Sequence, residues 1–406
     1  MIKTVKADIV IVGGGIAGLW LLNRLRKAGF TAILLEARAL GGGQTLKSQG
    51  IIHGGMKYAL QGTWTQAANI IADMPNVWKR CLEGKGEIDL REVPILSSNQ
   101  HLWSPSKLAS KITGFFAGFA LNNQVQAVDK SHYPAIFQNP RFKGEIYSLD
   151  EIVIDVPSLV RELVKPNQDA LFKIAAFDDT NLHLNEQGGI GSIEVRTLKG
   201  DVVQIQAQRY VFAAGAGNEM ILKKLNLADI IMQRRPLHMV LVKTAFNYPL
   251  YAHCMGLGTV PRMTITTHLT HDGQQVWYLG GQIAEDGVTR DSPTQIQMTQ
   301  RELQSLFPWL DFSTAQFASF MVDRAEPAQP NGKRPDGVFA KTIENAIVAW
   351  PTKLALAPRL ADEIIQLLTT AEIKPQLYDT RELRSWPMPP LARPIWDELL
   401  CSNVAA

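Results

Sequence analysis

Gly13, Gly15, Gly18 and Glu36 are the residues whose types and spacing specify chemistry most clearly: capture of a pyrophosphate and of a ribose. In the pattern GxGxxG the first glycine permits a tight turn, the second lets backbone approach a phosphate, and the third lets a helix lie close to a strand. The phosphates then face the helix start at Ile16 and Ala17, whose unpaired N–H groups and dipole favour anions. Glu36 falls where a carboxylate accepts hydrogen bonds from a ribose hydroxyl pair. Such a set works only if regular elements hold it in place. Ala7 to Val12 is an unbroken apolar run, the mark of a parallel strand buried on both faces. The pattern then predicts a helix over 16–28 and a second strand over 32–35, ending at Glu36. Strand, glycines, helix, strand and acid in this order predict a bound dinucleotide. A glycine-rich turn in an unliganded α/β domain is the alternative.

Composition bounds the rest. A chain of 406 residues is long enough for two intimately joined domains. Its 41 Lys and Arg against 38 Asp and Glu leave a net charge of +3, with no field that argues for a nucleic-acid partner. Cys81, Cys254 and Cys401 are far apart and form no CxxC, so neither a metal site nor a disulfide framework is expected, and a reducing cytoplasm is. The first strand begins almost at once, which leaves no room for a secretion signal. The longest apolar stretch, ITGFFAGFAL at 112–121, is too short for a bilayer, which needs about 20 residues. A core or inter-domain helix is its plain reading, and peripheral membrane contact over 107–121 is the most it suggests.

Farther along, residues 41–60 form a glycine-rich stretch with well-spaced polar groups, which reads as a loop lying along a ligand. Helical spacing follows over 63–83, then short strands over 88–147, and a helix start is announced by Asp155 and Pro157. LFKIAAF, NLHLNE, SIEVRTL and VVQIQAQ, over 170–211, predict a β-meander, with 188–192 as a turn since no helix follows. A separate buried strand over 210–214 returns the chain to the first sheet. Residues 234–283 predict a second, antiparallel sheet; 292–306 a helix; 317–325 a strand; 346–350 a strand broken by Pro351; and 353–368 a helix.

With these elements in place, the chain resembles the D-amino-acid oxidase superfamily of FAD-dependent oxidoreductases over nearly its whole length. GQTLKSQGIIHGGMKY resembles the SxxSTKLIHGG loop of glycerol-3-phosphate dehydrogenases and the GxxxHNSGVIHAG loop of L-2-hydroxyglutarate oxidases. FAAGAGN resembles the family's AAGAW segment, and Asp336 and Gly337 with AWPTKLALAPRLAD resemble its C-terminal pattern. The resemblance implies an α/β fold with α+β elements. Its Rossmann-like FAD-binding domain, of glutathione-reductase type, comprises 1–90, 145–225 and 330–406; an antiparallel-sheet substrate domain comprises 91–144 and 226–329. It implies noncovalent FAD, with Glu36 on the adenosine ribose beside Ala37 and Arg38. Gln44, Thr45, Ser48, Gln49 and Gly50 lie along the cofactor, Ala214 and Gly215 close over the ADP part, and Thr352, Lys353 and Leu354 meet the flavin pyrimidine. A helix start and an ammonium there would stabilise the negative charge of reduced flavin; a solvated Lys353 after a proline break is the alternative. No cysteine lies at 345–360 to attach flavin covalently. A GD-containing ribityl motif, a second GxGxxG and a CxxC are all missing. Electrons are therefore expected from an organic substrate, leaving to oxygen, a quinone or a carrier.

On the substrate side, MVDRAEPAQPNGKRPDG resembles the family's GLRP and DGxP segment, although Ala325 and Glu326 intervene before Pro327. The resemblance puts Arg324 on a substrate carboxylate or phosphate; a salt bridge to Glu326 or Asp323 is the alternative. His53, near flavin N5, would accept a hydroxyl proton as hydride leaves, or serve as a structural donor in its HGG turn. Arg262, Arg290, Lys333 and Arg334 have weaker claims to an anion, and His238, His268, Tyr251 and Tyr278 read as sheet residues. The expected function is FAD-dependent oxidation of a CH–OH or CH–NH bond in a small anionic substrate. The alternative is an FAD-binding protein of a modification complex, with structural flavin.

Overall fold

The structure, a computed structural model, describes residues 2–54, 73–105, 125–177, 181–256, 260–335 and 337–401. The expected helix over 63–83 is described only from Met74 to Leu82. Asp336 and the apolar stretch at 112–121 lie outside the described residues. Among the described residues no helix is long and apolar enough to cross a membrane.

The nucleotide sheet is built on Lys3–Val12, parallel to Ala32–Glu36 on one side and to Val202–Phe212 on the other. Leu171–Lys173 and Ala346–Trp350 extend it in parallel at either flank. The continuous apolar run in the first strand follows from burial on both faces. Ile9 and Ile11 pack with the helices Ile16–Lys27 and Ala357–Thr370, while Val10 and Val12 pack under the opposite layer with Phe212 and Trp350.

Three expectations are corrected here. Leu171–Lys173 belongs to the parallel sheet and not to the meander, of which Leu182–Leu184 and Ile190–Arg196 remain. The segments read as a meander strand and a separate return strand are one strand, Val202–Phe212. Its start pairs antiparallel with Ile190–Arg196 and its end lies parallel to Ala346–Trp350. The change from alternating to continuous apolarity marks where burial passes from one face to both. The last long helix begins at Ala357 and not at Lys353, since Pro358 occupies its first turn and a short 3-10 turn, Leu354–Leu356, precedes it.

A second large sheet, called the roof, has eight strands among the described residues, with Met232–Lys243, Met263–Leu269 and Gln275–Gly280 antiparallel as expected. Gln316–Pro327 forms one edge, in unbroken register with Met232–Lys243. Ala252–Cys254, Gln100–Ser104, Glu145–Leu149 and Val125–Ala127 complete it. The domain boundary expected at 145 therefore falls at the first residue of a roof strand. Three short strands, Ile51–Ile52, Ile152–Ile154 and Ile95–Ser97, form a third sheet.

Candidate active site

The glycine turn is tightly determined. Gly13 has φ +114°, and a Cβ there would lie 2.6 Å from the Ala213 carbonyl oxygen; at Gly18 it would lie 2.0 Å from that of Gly13. Strand and helix can meet this closely only without those side chains. Gly15 precedes the helix in extended conformation, and Thr45 Oγ1 accepts the Ile16 N–H at 3.0 Å. Thr45 is thus tied to the helix start. Glu36 Oε2 accepts from Gly14 N and Oε1 from Arg38 N, both at 2.6 Å, so its carboxylate orders the turn it closes. Lys173 Nζ donates to the Ala37 and Arg38 carbonyls.

The loop beyond Glu36 crosses from this sheet to the roof. Gln44 Nε2 lies beside Gly215, 3.6 Å from where a Cβ would stand. The Ser48 hydroxyl is buried with no hydrogen-bond partner among the described residues. Gln49 Nε2 donates to the Tyr278 carbonyl at 2.7 Å, and the Tyr278 hydroxyl donates back to the Lys47 carbonyl at 2.6 Å. Gly50, at φ +73°, leaves no room for a Cβ against the Ile154 carbonyl. Beyond the strand Val202–Phe212, Ala214 N donates to Asn218 Oδ1, and the Asn218 amide donates to the Phe212 and Ala349 carbonyls, locking the small-residue turn to the strand Ala346–Trp350. Trp350 Nε1 donates to the Gly215 carbonyl.

Thr352 follows that strand at φ +59°, an unusual conformation for a β-branched residue, with its hydroxyl donating to the Gly337 carbonyl at 2.9 Å. Lys353 is extended, and Leu354 starts the 3-10 turn that Trp78 Nε1 pins at the Ala355 carbonyl. A glycine cradle, an orphaned buried hydroxyl and a strained turn at the far end fit an extended dinucleotide.

Strand register places one face of the roof toward this loop. Arg324, Val322 and Phe320 alternate along that face opposite Arg235, Leu237 and Met239, and the pairing continues through Leu241 and Tyr278 to Thr266, Thr264 and His253. Asp323 is paired with Arg234, and buried Glu326 with Arg235 and Gln233. Among the described residues Arg324 has no ion pair within 4 Å, and its guanidinium donates through Nε to the Arg235 carbonyl at 2.8 Å. The expected alternative, a salt bridge to Glu326 or Asp323, is not formed. Burial first, then the neighbouring Arg235 and Arg334 cations, push Arg324 down to about 10. It remains charged at neutral pH, in surroundings that favour an anion.

His53 meets two residues that the sequence reading did not select. Its Nδ1 lies 3.1 Å from Glu151 Oε2, and Glu151 Oε1 accepts the Gly54 N–H at 2.9 Å. The His253 ring stacks on His53 at 6.3 Å between centroids, with its own Nδ1 2.8 Å from Thr264 Oγ1. Burial favours the neutral Glu151 carboxyl, but His53, His253 and the Gly54 amide outweigh it and hold the group below its usual range. The sequence signal for Glu151 is an acid immediately before the apolar strand Ile152–Ile154; His253 has none, lying within a short buried strand. Gln100 was also missed: it is fully buried, with neither amide atom hydrogen-bonded among the described residues. His238 and His268 are buried sheet residues as expected, and Arg262 is paired with Glu302.

The model of the DAO family, described as FAD dependent oxidoreductase, matches residues 8–341. The probable FAD-dependent oxidoreductase PA4991 of Pseudomonas aeruginosa is 49% identical over 401 residues, covering 98% of this chain and 99% of that protein. Its crystal structure superposes with a TM-score of 0.84 at 46% identity, over 98% of this chain and 99% of that one. Glycine oxidase from Geobacillus kaustophilus shares the fold at 16% identity and a TM-score of 0.62, over 93% and 98% of the two chains. FAD-bound L-α-glycerophosphate oxidase from Mycoplasma pneumoniae does so at 15% and 0.61, over 90% and 95%. The glycine cradle, the loop that spans to the roof and the sheet above it are those of a chain that belongs to the DAO family of FAD-dependent oxidoreductases.

Proposed function

We propose that this enzyme oxidises a CH–OH or CH–NH bond of a small anionic molecule, a 2-hydroxy acid, polyol phosphate or amino acid. Arg324 carries the reading. It is half-buried, charged, flanked by two further arginines and without an ion pair within 4 Å among the described residues; Asp323 and Glu326 are taken by other partners, and Glu285 acts on it only as a more distant charge. A planar guanidinium there suits a carboxylate or phosphate by paired N–H contacts. For an alcohol, His53 accepts the hydroxyl proton, whereas a neutral amine needs no base.

FAD, when bound, supplies the two-electron acceptor. In this reading Gly13, Gly15, Ile16, Ala17 and Gly18 hold its pyrophosphate and Glu36, Ala37 and Arg38 its ribose end. Gln44, Thr45, Ser48, Gln49 and Gly50 run along its length, Ala214 and Gly215 cover it, and Thr352, Lys353 and Leu354 face the flavin. Support comes from the Thr45 tie to the helix start, the unpartnered Ser48 hydroxyl and the strained Thr352. The two large sheets divide the work between cofactor and substrate, and electrons leave afterwards to oxygen, a quinone or a carrier.

The test is anaerobic addition of glycine, L-proline, iminodiacetate, sn-glycerol 3-phosphate and L-2-hydroxyglutarate to the purified holoenzyme, with the flavin absorbance followed. Bleaching by at least one compound, weakened by Arg324→Lys, is expected. A flavin that stays oxidised with every compound would sink the proposal.

A further inference from the structure

We infer that Glu151 is a positioning residue that fixes His53 with Nε2 as proton acceptor, and that the substrate is accordingly an anionic secondary alcohol and not an amine. The inference rests on the reading of His53 as the residue that takes the substrate proton. Ile52 pairs with Ile152, so the antiparallel register places residues 53 and 151 opposite one another at the end of the small sheet. Glu151 is only 5% exposed. Its Oε2 lies 3.1 Å from Nδ1 of the His53 imidazole. One carboxylate oxygen is occupied by the Gly54 N–H and the other faces His53 Nδ1. An ionised carboxylate can only accept, so Nδ1 carries the hydrogen and Nε2 keeps the lone pair. The His253 ring lies nearly parallel to that of His53, 6.3 Å away between centroids, with its Nδ1 2.8 Å from Thr264 Oγ1.

This arrangement suits an alcohol. Oxidising one breaks the O–H bond, with the proton passing to His53 Nε2, and the C–H bond, with hydrogen and its electron pair passing to the flavin, as C=O forms. The new imidazolium lies against Glu151, which stabilises it. A neutral amine releases hydride by pushing in its own lone pair and has no proton to give up in that step. A buried carboxylate behind the imidazole would then act only on the turn, through the Gly54 N–H, and not on the reaction.

The test uses holoenzyme with 15N-labelled histidine, eight residues in all, with His53 assigned from the signals lost in His53→Ala. Nitrogen shifts of the Nδ1–H tautomer are expected at His53 in the unmodified enzyme. Glu151→Gln, whose amide can keep the Gly54 contact through oxygen while donating to Nδ1, should shift His53 to the Nε2–H tautomer with FAD content unchanged. In stopped flow, flavin reduction by sn-glycerol 3-phosphate or L-2-hydroxyglutarate should slow on the order of 10²-fold in that variant, with KM little altered. An Nε2–H tautomer in the unmodified enzyme would overturn the inference without any variant having to fold. So would reduction by amines alone, or a stoichiometric divalent metal that co-purifies and is lost in Glu151→Gln. If no compound of either class reduces the flavin, the oxidation reading fails, yet the tautomer measurement still decides the role of Glu151.

Discussion

The cradle around Gly13–Gly18 and the roof face around Arg324 solve opposite problems. In the cradle nearly every contact is backbone or is made to backbone: Glu36 closes on two amides, Thr45 on a third, and the glycines are fixed by carbonyls too close for any side chain. On the roof face, side-chain charges are brought together and one of them, Arg324, is left without an ion pair within 4 Å among the described residues. Binding what every member of a family binds can be built into local backbone geometry. In the proposed function, selecting a substrate falls to a side chain whose electrostatic demand the described residues do not fully meet.

Breaking the cradle should therefore cost fold and cofactor together. Gly18→Ala puts a methyl 2.0 Å from the Gly13 carbonyl oxygen and should destabilise by about 3 kcal/mol or more, read as a lower Tm and lost FAD absorbance. Breaking the roof should spare both. Arg324→Ala is expected to lower kcat/KM on the order of 10²-fold while FAD content and Tm stay near those of the unmodified enzyme; Arg324→Lys should lose less, by retaining charge without the fork. A fall in Tm as large as that of Gly18→Ala would make Arg324 structural and erase the contrast.

Acid should discriminate the regions too. His268 is buried on the roof face, stacked on Trp396 at 4.5 Å and 3.0 Å from Thr266 Oγ1, and burial pushes it from 6.5 down to about 4. The unfolded chain takes up this proton near 6.5 and the folded chain only near 4, so the unfolded state binds more protons between these values. Stability is thus intact above pH 6.5 and falls toward pH 4, by about 3 kcal/mol over the window at 1.36 kcal/mol per unit. Thermal melts across this range should show the loss, and His268→Gln should flatten it. An unchanged pH slope would place the acid sensitivity elsewhere.

Legibility in the sequence follows the same division. The strand, turn and helix of the cradle are contiguous, so two-face burial and glycine spacing are written locally; the helix occupies Ile16–Lys27, one residue short of the expected end. The last helix starts four residues beyond the expected Lys353 because Pro358, and not Pro351, sets its first turn. Val202–Phe212 was read as two strands because periodicity reports the covering layer, which changes along its length. Arg324 was legible through its segment, but its lack of an ion pair was not, since that depends on Arg234 and Arg235 from another strand taking both acids first. Glu151 reaches His53 across 98 residues, through strand register alone.

The smallest expected effect tests whether the cradle is as independent of side-chain charge as this contrast implies. Glu36 offers one oxygen to Gly14 N and the other to Arg38 N, and a neutral amide can replace only one of these acceptors. Glu36→Gln should cost about 1 kcal/mol in unfolding free energy, the value of one hydrogen bond weakened and another lost. FAD affinity, by equilibrium dialysis of the deflavinated protein, should fall roughly tenfold, since 1.4 kcal/mol is one decade. Loss of the fold would show that one acid supports the turn as heavily as the glycines do. Unchanged affinity would mean that the carboxylate orders the loop and makes no contact with the ribose.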